Sequence, residues 1–282
     1  MYIHIVVEAL KLALADREAY FGDPYFVMVP TDGLLSKDYA QERATLIDLR
    51  RAHPELPEPG DPWIYSKLTK PSTLVNLVPN AQDLAMDSDD QGTTHISVAD
   101  SSGNMICATP SGGAFPKSVF FPELGFTLST RMEMFNLIEG HPNVVEPAKR
   151  PRTTLVNYIA TRDGKAEMTF GCPGGDHQAQ ANLQLILNSI VFGMDPQSSI
   201  ESPRFATDTL INSFHPHVYR PGQLSVEDDI PQLVLNDLVS VGHKIVRKDV
   251  CGMGATVTHK DFETGVLTTG ADPRRACYAL GW

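Results

Sequence analysis

The chain has 282 residues with a hydrophobic content of 42%, which is enough to bury a substantial core in one large domain or two smaller ones. Its formal net charge of −11 disfavours nucleic acid and anionic membrane surfaces as partners. No apolar run approaches the ~20 residues of a membrane span, and the first residues show neither the basic stretch nor the cleavage site typical of a secretory signal.

The first third of the chain predicts two helices and an irregular connection. From Tyr2 to about Tyr20, apolar residues recur at helical spacing, and Gly22-Asp23-Pro24 ends the run. A second, more polar helix is predicted from Asp38 to about Arg51. Residues 54–90 are rich in Pro, Asp and Asn and show no clear period, which is typical of an irregular connecting segment.

The rest of the chain predicts hairpins separated by helices. Three pairs of strand-like runs flank short turns: 96–100 with 105–109, 155–161 with 166–170, and 255–259 with 266–269. Helices are predicted over 178–192 and 230–241, and Asp195 followed by Pro196 is typical of a capped helix start. This order indicates an α+β fold in which sheets stack on each other with helices outside, and it disfavours a Rossmann fold.

Cysteine and histidine usage indicates neither disulfides nor a metal site. The four cysteines, Cys107, Cys172, Cys251 and Cys277, are widely scattered, and no Cys or His spacing is typical of a metal ligand set. We therefore expect free thiols and no cofactor.

The sequence Gly92-Thr93-Thr94-His95 is the main candidate for catalytic chemistry. A Thr hydroxyl is a poor nucleophile without a base, but cleavage of the Gly92–Thr93 bond would give Thr93 a free α-amine that can serve as that base. The pKa of an α-amine is about 8, close to working pH. By itself, the same sequence is equally typical of a polar turn that opens a strand.

Two other motifs indicate further parts of an acyl-transfer site. Pro173-Gly174-Gly175 precedes a predicted helix, and its backbone N–H groups can approach a substrate oxygen closely, as in an oxyanion hole. Thr153 and Thr154 follow basic residues, and their hydroxyls can bind a carboxylate. The alternatives are a tight strand-to-helix turn and a polar strand entry, respectively.

Taken together, these motifs resemble the gamma-glutamyltranspeptidase family of N-terminal nucleophile hydrolases. The matching pieces follow in order along nearly the whole chain: 13–17, 22–24, 33–37, 93–104, 149–154, 173–175, 193–205 and 265–274. The resemblance implies an αββα sandwich that lacks much of its N-terminal subunit. It also implies that residues 1–92 correspond to the end of the family's large subunit and residues 93–282 to its small subunit, with self-cleavage before Thr93.

The resemblance further implies roles for individual residues. Thr93 would be the nucleophile, and Ser111 would support it and its new amine. Gly174-Gly175 would form the oxyanion hole. Thr153-Thr154 match the hydroxyl pair that binds the α-carboxylate of a γ-glutamyl group. The implied substrate is a small γ-glutamyl amide or peptide, such as a glutathione-like compound, that is hydrolysed or transferred.

Three positions depart from the family pattern where the substrate would bind. Gly113 occupies the place of an Asn, and Arg131 and Met134 align with a Gln and an Asp that hold the substrate's α-ammonium. Coulomb's law disfavours an ammonium beside Arg131 without that Asp. Glu133 would not compensate, because in a strand it would face away from Met134. We therefore keep open an amide with an acid-terminated, glutaryl-like acyl group, with Arg131 as a solvated surface residue as the alternative.

Two further departures concern length. The connection 136–148 is shorter than in members with a lid, which favours water entry and hydrolysis. Only 92 residues precede Thr93, so a truncated, catalytically silent member of the family is also possible. Its partner would be the missing large-subunit portion or a second copy of the chain, because missing layers would expose apolar faces.

The sequence does not fix the cellular compartment: it is cytoplasmic by default, or exported if sequence precedes Met1.

Overall fold

The computed structural model of the protein describes residues 1–71, 92–112, 117–252 and 254–282. The helices are α1 (Tyr2–Tyr20), α2 (Thr31–Leu34), α3 (Lys37–Ala44), α4 (His177–Ile190), α5 (Pro196–Glu201) and α6 (Gln232–Ser240). The strands are β1 (Ile96–Ala99), β2 (Met105–Ala108), β3 (Phe120–Phe121), β4 (Phe126–Thr127), β5 (Tyr158–Arg162), β6 (Lys165–Gly171), β7 (Phe205–Thr207), β8 (Gln223–Glu227), β9 (Lys244–Lys248), β10 (Thr256–Lys260) and β11 (Leu267–Ala271). No helix within these ranges is long and apolar enough to span a bilayer.

A four-stranded antiparallel sheet of order β11-β10-β6-β5 forms the central layer. Successive side chains of a strand point to opposite faces. On β6, Met168 and Phe170 pack against Ala181 and Leu185 of α4. Gly171, on the other face, lies against the ring of a residue that precedes β1. The β1–β2 hairpin contacts β6 and β10, so helices, sheet and hairpin form three successive layers.

A second core surrounds α1 and a small mixed sheet. The sheet has the order β7-β8-β9, and its β8–β9 pair is parallel. Its apolar residues pack with one face of α1 and with α6: Val7, Leu10 and Leu14 of α1, Leu224 and Val226 of β8, and Leu235 and Leu238 of α6. The helix at the start of the chain is therefore part of the core.

Two side chains of α4 form hydrogen bonds with the outer edge of strand β7. The amide of Gln180 donates to Thr207 O at 3.1 Å and accepts from Thr207 N at 2.8 Å. The amide of Gln184 does the same with Phe205, at 2.8 and 3.1 Å. Because residues four apart lie on the same helix face, the two buried glutamines provide the hydrogen bonds that a neighbouring strand would otherwise supply.

Most of the predicted elements are confirmed. Helix α1 has its predicted bounds, all three predicted hairpins form, and α4 and α6 lie where predicted. Asp195 caps α5 by accepting from Gln197 N and Ser198 N. The fold class, a mixed arrangement of helices outside stacked sheets, is also as expected.

Other local predictions are wrong. Helix α3 ends at Ala44, because Thr45 donates to Glu42 O at 2.7 Å and Asp48 accepts from Arg50 N at 2.8 Å, so local side-chain bonds replace the next helical turn. Strands β7, β8 and β9 were not predicted, since they are short and lack a clean alternation. The predicted irregular segment, in contrast, is confirmed over 54–71, which contains only a short 3₁₀ turn, Pro62–Tyr65, and 72–90 lies outside the described residues.

Residues Arg131–Met134 form a 3₁₀ turn and not the strand that was assumed for them. The alternation argument for Glu133 is therefore wrong. Its carboxylate instead accepts from Lys117 Nζ at 2.9 Å and from Thr130 Oγ1 at 3.0 Å. In a 3₁₀ helix, residues three apart are eclipsed, so Arg131 and Met134 lie on the same side of the turn.

The outer face of the β1–β2 hairpin is apolar and exposed. Ile96 and Val98 of β1 and Ile106 of β2 are each about half exposed or more, at 49%, 49% and 65%. Their strand neighbours Ser97 and Cys107 point inward, toward the central sheet. An exposed apolar sheet face was expected from the missing layer, and the described hairpin has one.

Replacing Gln184 by Leu should lower the free energy of unfolding by about 2–4 kcal/mol, because it leaves the N–H and C=O of Phe205 buried without partners. Urea denaturation of the purified protein measures this change. The matched control is Gln41→Leu on the exposed face of α3, which should change stability by less than about 0.5 kcal/mol. Equal unfolding midpoints for Gln184→Leu and the unmodified protein would contradict the role given to this side chain.

Candidate active site

Thr93 and Ser111 face each other across the base of the β1–β2 hairpin. The hairpin pairs Ile96 with Ala108, and continuing this register three residues outward brings Thr93 opposite Ser111. Their hydroxyl oxygens are 2.8 Å apart, and Thr94 N donates to Pro110 O at 3.2 Å. Thr93 is only 4% exposed, and Ser111 is half-buried.

Arg131 reaches the same hydroxyl pair from its 3₁₀ turn. Its Nη2 donates to Ser111 Oγ at 2.6 Å, and its Nη1 lies 3.4 Å from the sulfur of the fully buried Met134. The guanidinium carbon is 5.7 Å from the centre of the Phe214 ring, a distance at which a cation and an aromatic face attract. Arg131 is half-buried and contacts Ser111.

Gly174 and Gly175 form the turn that enters α4. Their φ angles are 124° and 53°, which favour glycine because a Cβ is strained there. Their carbonyls accept from His177 N and Gln178 N in the first turn of the helix. Neither glycine amide donates to another protein group in the described part of the chain. Two backbone donors are thus left beside the positive end of a helix.

Thr153 and Thr154 differ in their surroundings. Thr153 is exposed, and its Oγ1 accepts from Leu155 N at 3.1 Å. Thr154 is only 8% exposed, and its Oγ1 has no hydrogen-bond partner among the described residues. The side-chain amide of Gln178 lies 3.2 Å from Thr154 O and from Cys172 O, and it donates to both when its nitrogen is assigned to that position. Thr169 and Thr256 have buried hydroxyl oxygens of the same kind, so the Thr154 hydroxyl is available for a further hydrogen bond but does not by itself indicate a ligand.

Contacts connect the β1–β2 hairpin to the segment that follows Thr154. Cys107 Sγ approaches Tyr158 O and Thr109 Oγ1 approaches Val156 O, each at 3.5 Å. The two segments therefore lie side by side and run in opposite directions. Thr154 in turn is joined through Gln178 to Cys172, two residues before Gly174.

His95, the last residue of the candidate nucleophile motif, has a structural role. Its Nδ1 lies 2.7 Å from Thr109 Oγ1 and its Nε2 lies 3.0 Å from Ser97 Oγ. Burial lowers the pKa of His95 to about 4, so the ring is neutral at pH 7. A Cβ at Gly171 would come within 2.2 Å of this ring, which is why glycine occupies that position. His95 thus anchors the chain two residues after Thr93 on the central sheet.

The last turn of α1 holds the glycine turn in place. Arg17 Nη1 donates to Asp176 Oδ1 at 2.5 Å, and Asp176 also accepts from Ser213 N at 2.7 Å and Ser213 Oγ at 2.6 Å. Burial raises the pKa of Asp176, but Arg17 and Ser213 outweigh it and hold that pKa below its ordinary value. The carboxylate is therefore ionised, and it fixes the residue directly after Gly175.

Glu18, the next residue of α1, anchors the Thr153-Thr154 segment in the same way. Its carboxylate pairs with Arg152 Nη1 at 2.8 Å and lies 3.1 Å from His141 Nε2. Burial opposes the charge, yet Arg152 and His141 hold the pKa of Glu18 down, to about 2. The sequence did not indicate these partners, because an Arg-Glu pair at a helix end is equally typical of a solvated surface.

Gly113, a predicted substrate-binding position, lies outside the described residues.

Among the described residues, one buried group has metal-ligand side chains close together: His4, Glu8 and His243. His4 Nδ1 is 2.9 Å from His243 Nε2, and Glu8 accepts from Lys11 Nζ at 2.7 Å. The cluster is a hydrogen-bonded part of the second core, and it lies on elements other than those that carry Thr93 and Ser111.

Comparison with known proteins gives one consistent result. A family described as gamma-glutamyltranspeptidase matches residues 1–282. A glutathione hydrolase proenzyme of Bacillus subtilis (strain 168) is 34% identical over 278 residues, which are 98% of this chain and 44% of that protein. The chain therefore spans less than half the length of this curated relative.

Solved structures give the same coverage. The structure of LmbA2991HD superposes with a TM-score of 0.82 at 37% identity, over 97% of this chain and 47% of the other. A cephalosporin acylase from Bacillus halodurans superposes with a TM-score of 0.76 at 27% identity, over 99% of this chain and 45% of the other. Both likenesses extend over nearly all of the present chain.

Proposed function

The chain belongs to the gamma-glutamyltranspeptidase family, and we propose on this premise that it cleaves itself before Thr93 and then uses Thr93 to attack amide bonds. The observation that carries the proposal is the 2.8 Å contact between Thr93 Oγ1 and Ser111 Oγ, directly after Gly92. The word proenzyme in the name of the Bacillus subtilis relative supports a processed form. The fold, with helices outside stacked sheets, is that of N-terminal nucleophile hydrolases.

Self-cleavage proceeds through the hydroxyl of Thr93. Its Oγ1 bonds to the carbonyl carbon of Gly92, the bond from that carbon to Thr93 N breaks, and the hydroxyl proton moves to the nitrogen. Water then hydrolyses the resulting ester. The products are a carboxylate on Gly92 and a free α-amine on Thr93, beside its restored hydroxyl.

The same hydroxyl then attacks the substrate. The α-amine of Thr93 takes the hydroxyl proton as Oγ1 bonds to the amide carbon, and it returns the proton to the leaving amine. The free amides of Gly174 and Gly175 are suited to stabilise the oxyanion. Water, or an acceptor amine, releases the acyl group from the ester. The short connection 136–148 favours water, and hence hydrolysis, as the second step.

The acyl donor we propose first is a γ-glutamyl amide of the glutathione type. Support comes from the curated relative and from the buried hydroxyl of Thr154, which has no partner among the described residues and would donate a hydrogen bond to the α-carboxylate of the donor. Thr153, which is exposed beside it, would supply the second hydroxyl. Gly113 stays a predicted contact of the same group.

A second candidate is an acylase that acts on acid-terminated amides, such as glutaryl amides. It is favoured by Arg131, whose guanidinium lies beside the hydroxyl pair, with the thioether of Met134 in place of an acid. This arrangement suits a carboxylate better than an ammonium. The related cephalosporin acylase is consistent with an acyl group other than γ-glutamyl.

The proposed activity includes a further polypeptide portion. The relative and the two solved structures are more than twice as long as this chain, and the hairpin face formed by Ile96, Val98 and Ile106 is apolar and exposed. We propose that this portion, or a second copy of the chain, covers that face. A catalytically silent protein remains the alternative, and the first experiment below distinguishes it.

Thr93→Ala should abolish self-cleavage, because Ala has no hydroxyl to attack the carbonyl of Gly92. The unmodified protein should give two fragments that separate at Thr93, measured by intact mass and a denaturing gel. Thr94→Ala is the matched control and should still be cut. An unmodified protein that stays as one chain under conditions where it is folded would favour the silent alternative.

Thr154→Val should raise KM for the amide substrate about tenfold or more while leaving kcat within about threefold, because it removes only a hydroxyl that would bind the donor carboxylate. Stability should be unchanged or higher, since that hydroxyl has no partner in the described protein. Thr269→Val on β11 is the control. It loses a 2.9 Å bond to Val257 O and should lower stability by about 1 kcal/mol without changing KM.

The ratio of kcat/KM for glutaryl and γ-glutamyl anilides should distinguish the two acyl donors, because these compounds differ only in the α-ammonium. If Arg131 disfavours the α-ammonium of the donor, the ratio should favour glutaryl anilide and fall about tenfold in Arg131→Gln, because both compounds carry the same carboxylate and only the ammonium is repelled. Using the ratio cancels any effect of Arg131 on the nucleophile itself. Preference for the γ-glutamyl compound in the unmodified protein would rule out the second candidate.

A further inference from the structure

Arg131 contacts the nucleophile's hydroxyl partner directly. Its Nη2 lies 2.6 Å from Ser111 Oγ, and Ser111 Oγ lies 2.8 Å from Thr93 Oγ1. A guanidinium can only donate hydrogen bonds, so Ser111 Oγ is the acceptor in the first contact. A permanent cation is thus linked to the proposed nucleophile through a single hydroxyl.

Resting on the proposed role of Thr93, we propose that Arg131 is a positioning residue for the nucleophile. It holds the Ser111 hydroxyl beside Thr93 Oγ1, where that hydroxyl can donate to the oxygen as negative charge develops on it. The role applies to self-cleavage as well as to attack on a substrate, because the same oxygen reacts in both.

The electrostatic consequence follows from the direction of these bonds. When the cation occupies a lone pair of Ser111 Oγ, it polarises the hydroxyl and makes it a stronger donor. As Thr93 Oγ1 loses its own proton to a base, the bond from Ser111 shortens onto a more negative oxygen. Thr93 is 4% exposed, so solvent screens this interaction weakly.

The surroundings hold the guanidinium in this position. Thr130 N donates to Gly112 O at 2.8 Å, which ties the 3₁₀ turn to the segment that carries Ser111. The ring of Phe214 lies 5.7 Å from the guanidinium carbon, and Met134 lies on the same side of the turn. An acid in place of Met134 would draw the cation away from Ser111. The acid that does lie in the turn, Glu133, is paired with Lys117.

Self-cleavage tests this role without any substrate. A residue that only binds the acyl donor has no effect on cleavage of the Gly92–Thr93 bond, whereas a residue that prepares Thr93 does. The experiment therefore measures the rate of self-cleavage by intact mass, from pH 6 to pH 10, in the unmodified protein and in Arg131→Gln and Arg131→Lys.

Arg131→Gln should slow self-cleavage by about tenfold to a hundredfold and shift the rising limb of its pH profile upward by about one unit, because the oxyanion loses its cation. Arg131→Lys keeps the charge and should recover part of the rate. In a Ser111→Ala background, the same Arg131→Gln change should cost less than about twofold, because its effect passes through the missing hydroxyl.

Arg247→Gln is the control, since Arg247 lies on β9 in an exposed pair with Asp228 and should leave the rate unchanged. Folding of each variant is verified by thermal unfolding, and Arg131→Lys gives a milder change if Arg131→Gln is unstable. Self-cleavage of Arg131→Gln at the unmodified rate and pH profile would overturn the inference, as would additive effects of Arg131→Gln and Ser111→Ala. An unmodified protein that never cleaves would overturn the proposed function itself.

Discussion

Asp176 carries its negative charge where solvent does not reach, and a buried carboxylate is tolerated only when cations and donors surround it. Arg17 from α1 and both donors of Ser213 meet this requirement. The constraint joins three segments that are distant in sequence: the first helix, the start of α4 and the loop before β8. It also fixes the Gly174-Gly175 turn, whose amides have no other partner in the described protein, and so the candidate oxyanion hole depends on a residue of the first helix.

Glu18 repeats the arrangement one residue further along α1. It pairs with Arg152, which directly precedes Thr153-Thr154. The last turn of α1 therefore supports both the Gly174-Gly175 turn and the Thr153-Thr154 segment. The other end of the helix packs in the second core against β8 and α6. If the chain is cut before Thr93, this packing keeps α1 attached, and the segment upstream of the cut remains a structural part of the site.

The site itself is built from hydroxyls, backbone amides and one cation. Thr93 and Ser111 form the centre, Arg131 borders Ser111, and the hydroxyl of Thr154 is buried without a partner in the described residues. Such a set suits chemistry in which negative charge develops on oxygen, because each group can donate to an oxyanion or a carboxylate. The two candidate substrates differ in the α-ammonium, which a cation at Arg131 disfavours, and the same cation can also act on the nucleophile through Ser111.

The sequence by itself determined the elements and their local register. Helical periodicity gave α1 its bounds, and the turn between residues 100 and 105 set the pairing that brings Thr93 opposite Ser111, because an antiparallel hairpin has one register for a given turn. Only the tertiary structure decided which polar residues are buried together. Arg17 and Asp176 are 159 positions apart, and Arg131 reaches Ser111 through a 3₁₀ turn that alternation alone misread as a strand. Periodicity reports on neighbours along one element, whereas these contacts depend on how separate elements pack, and burial turns an ordinary surface charge into a constraint.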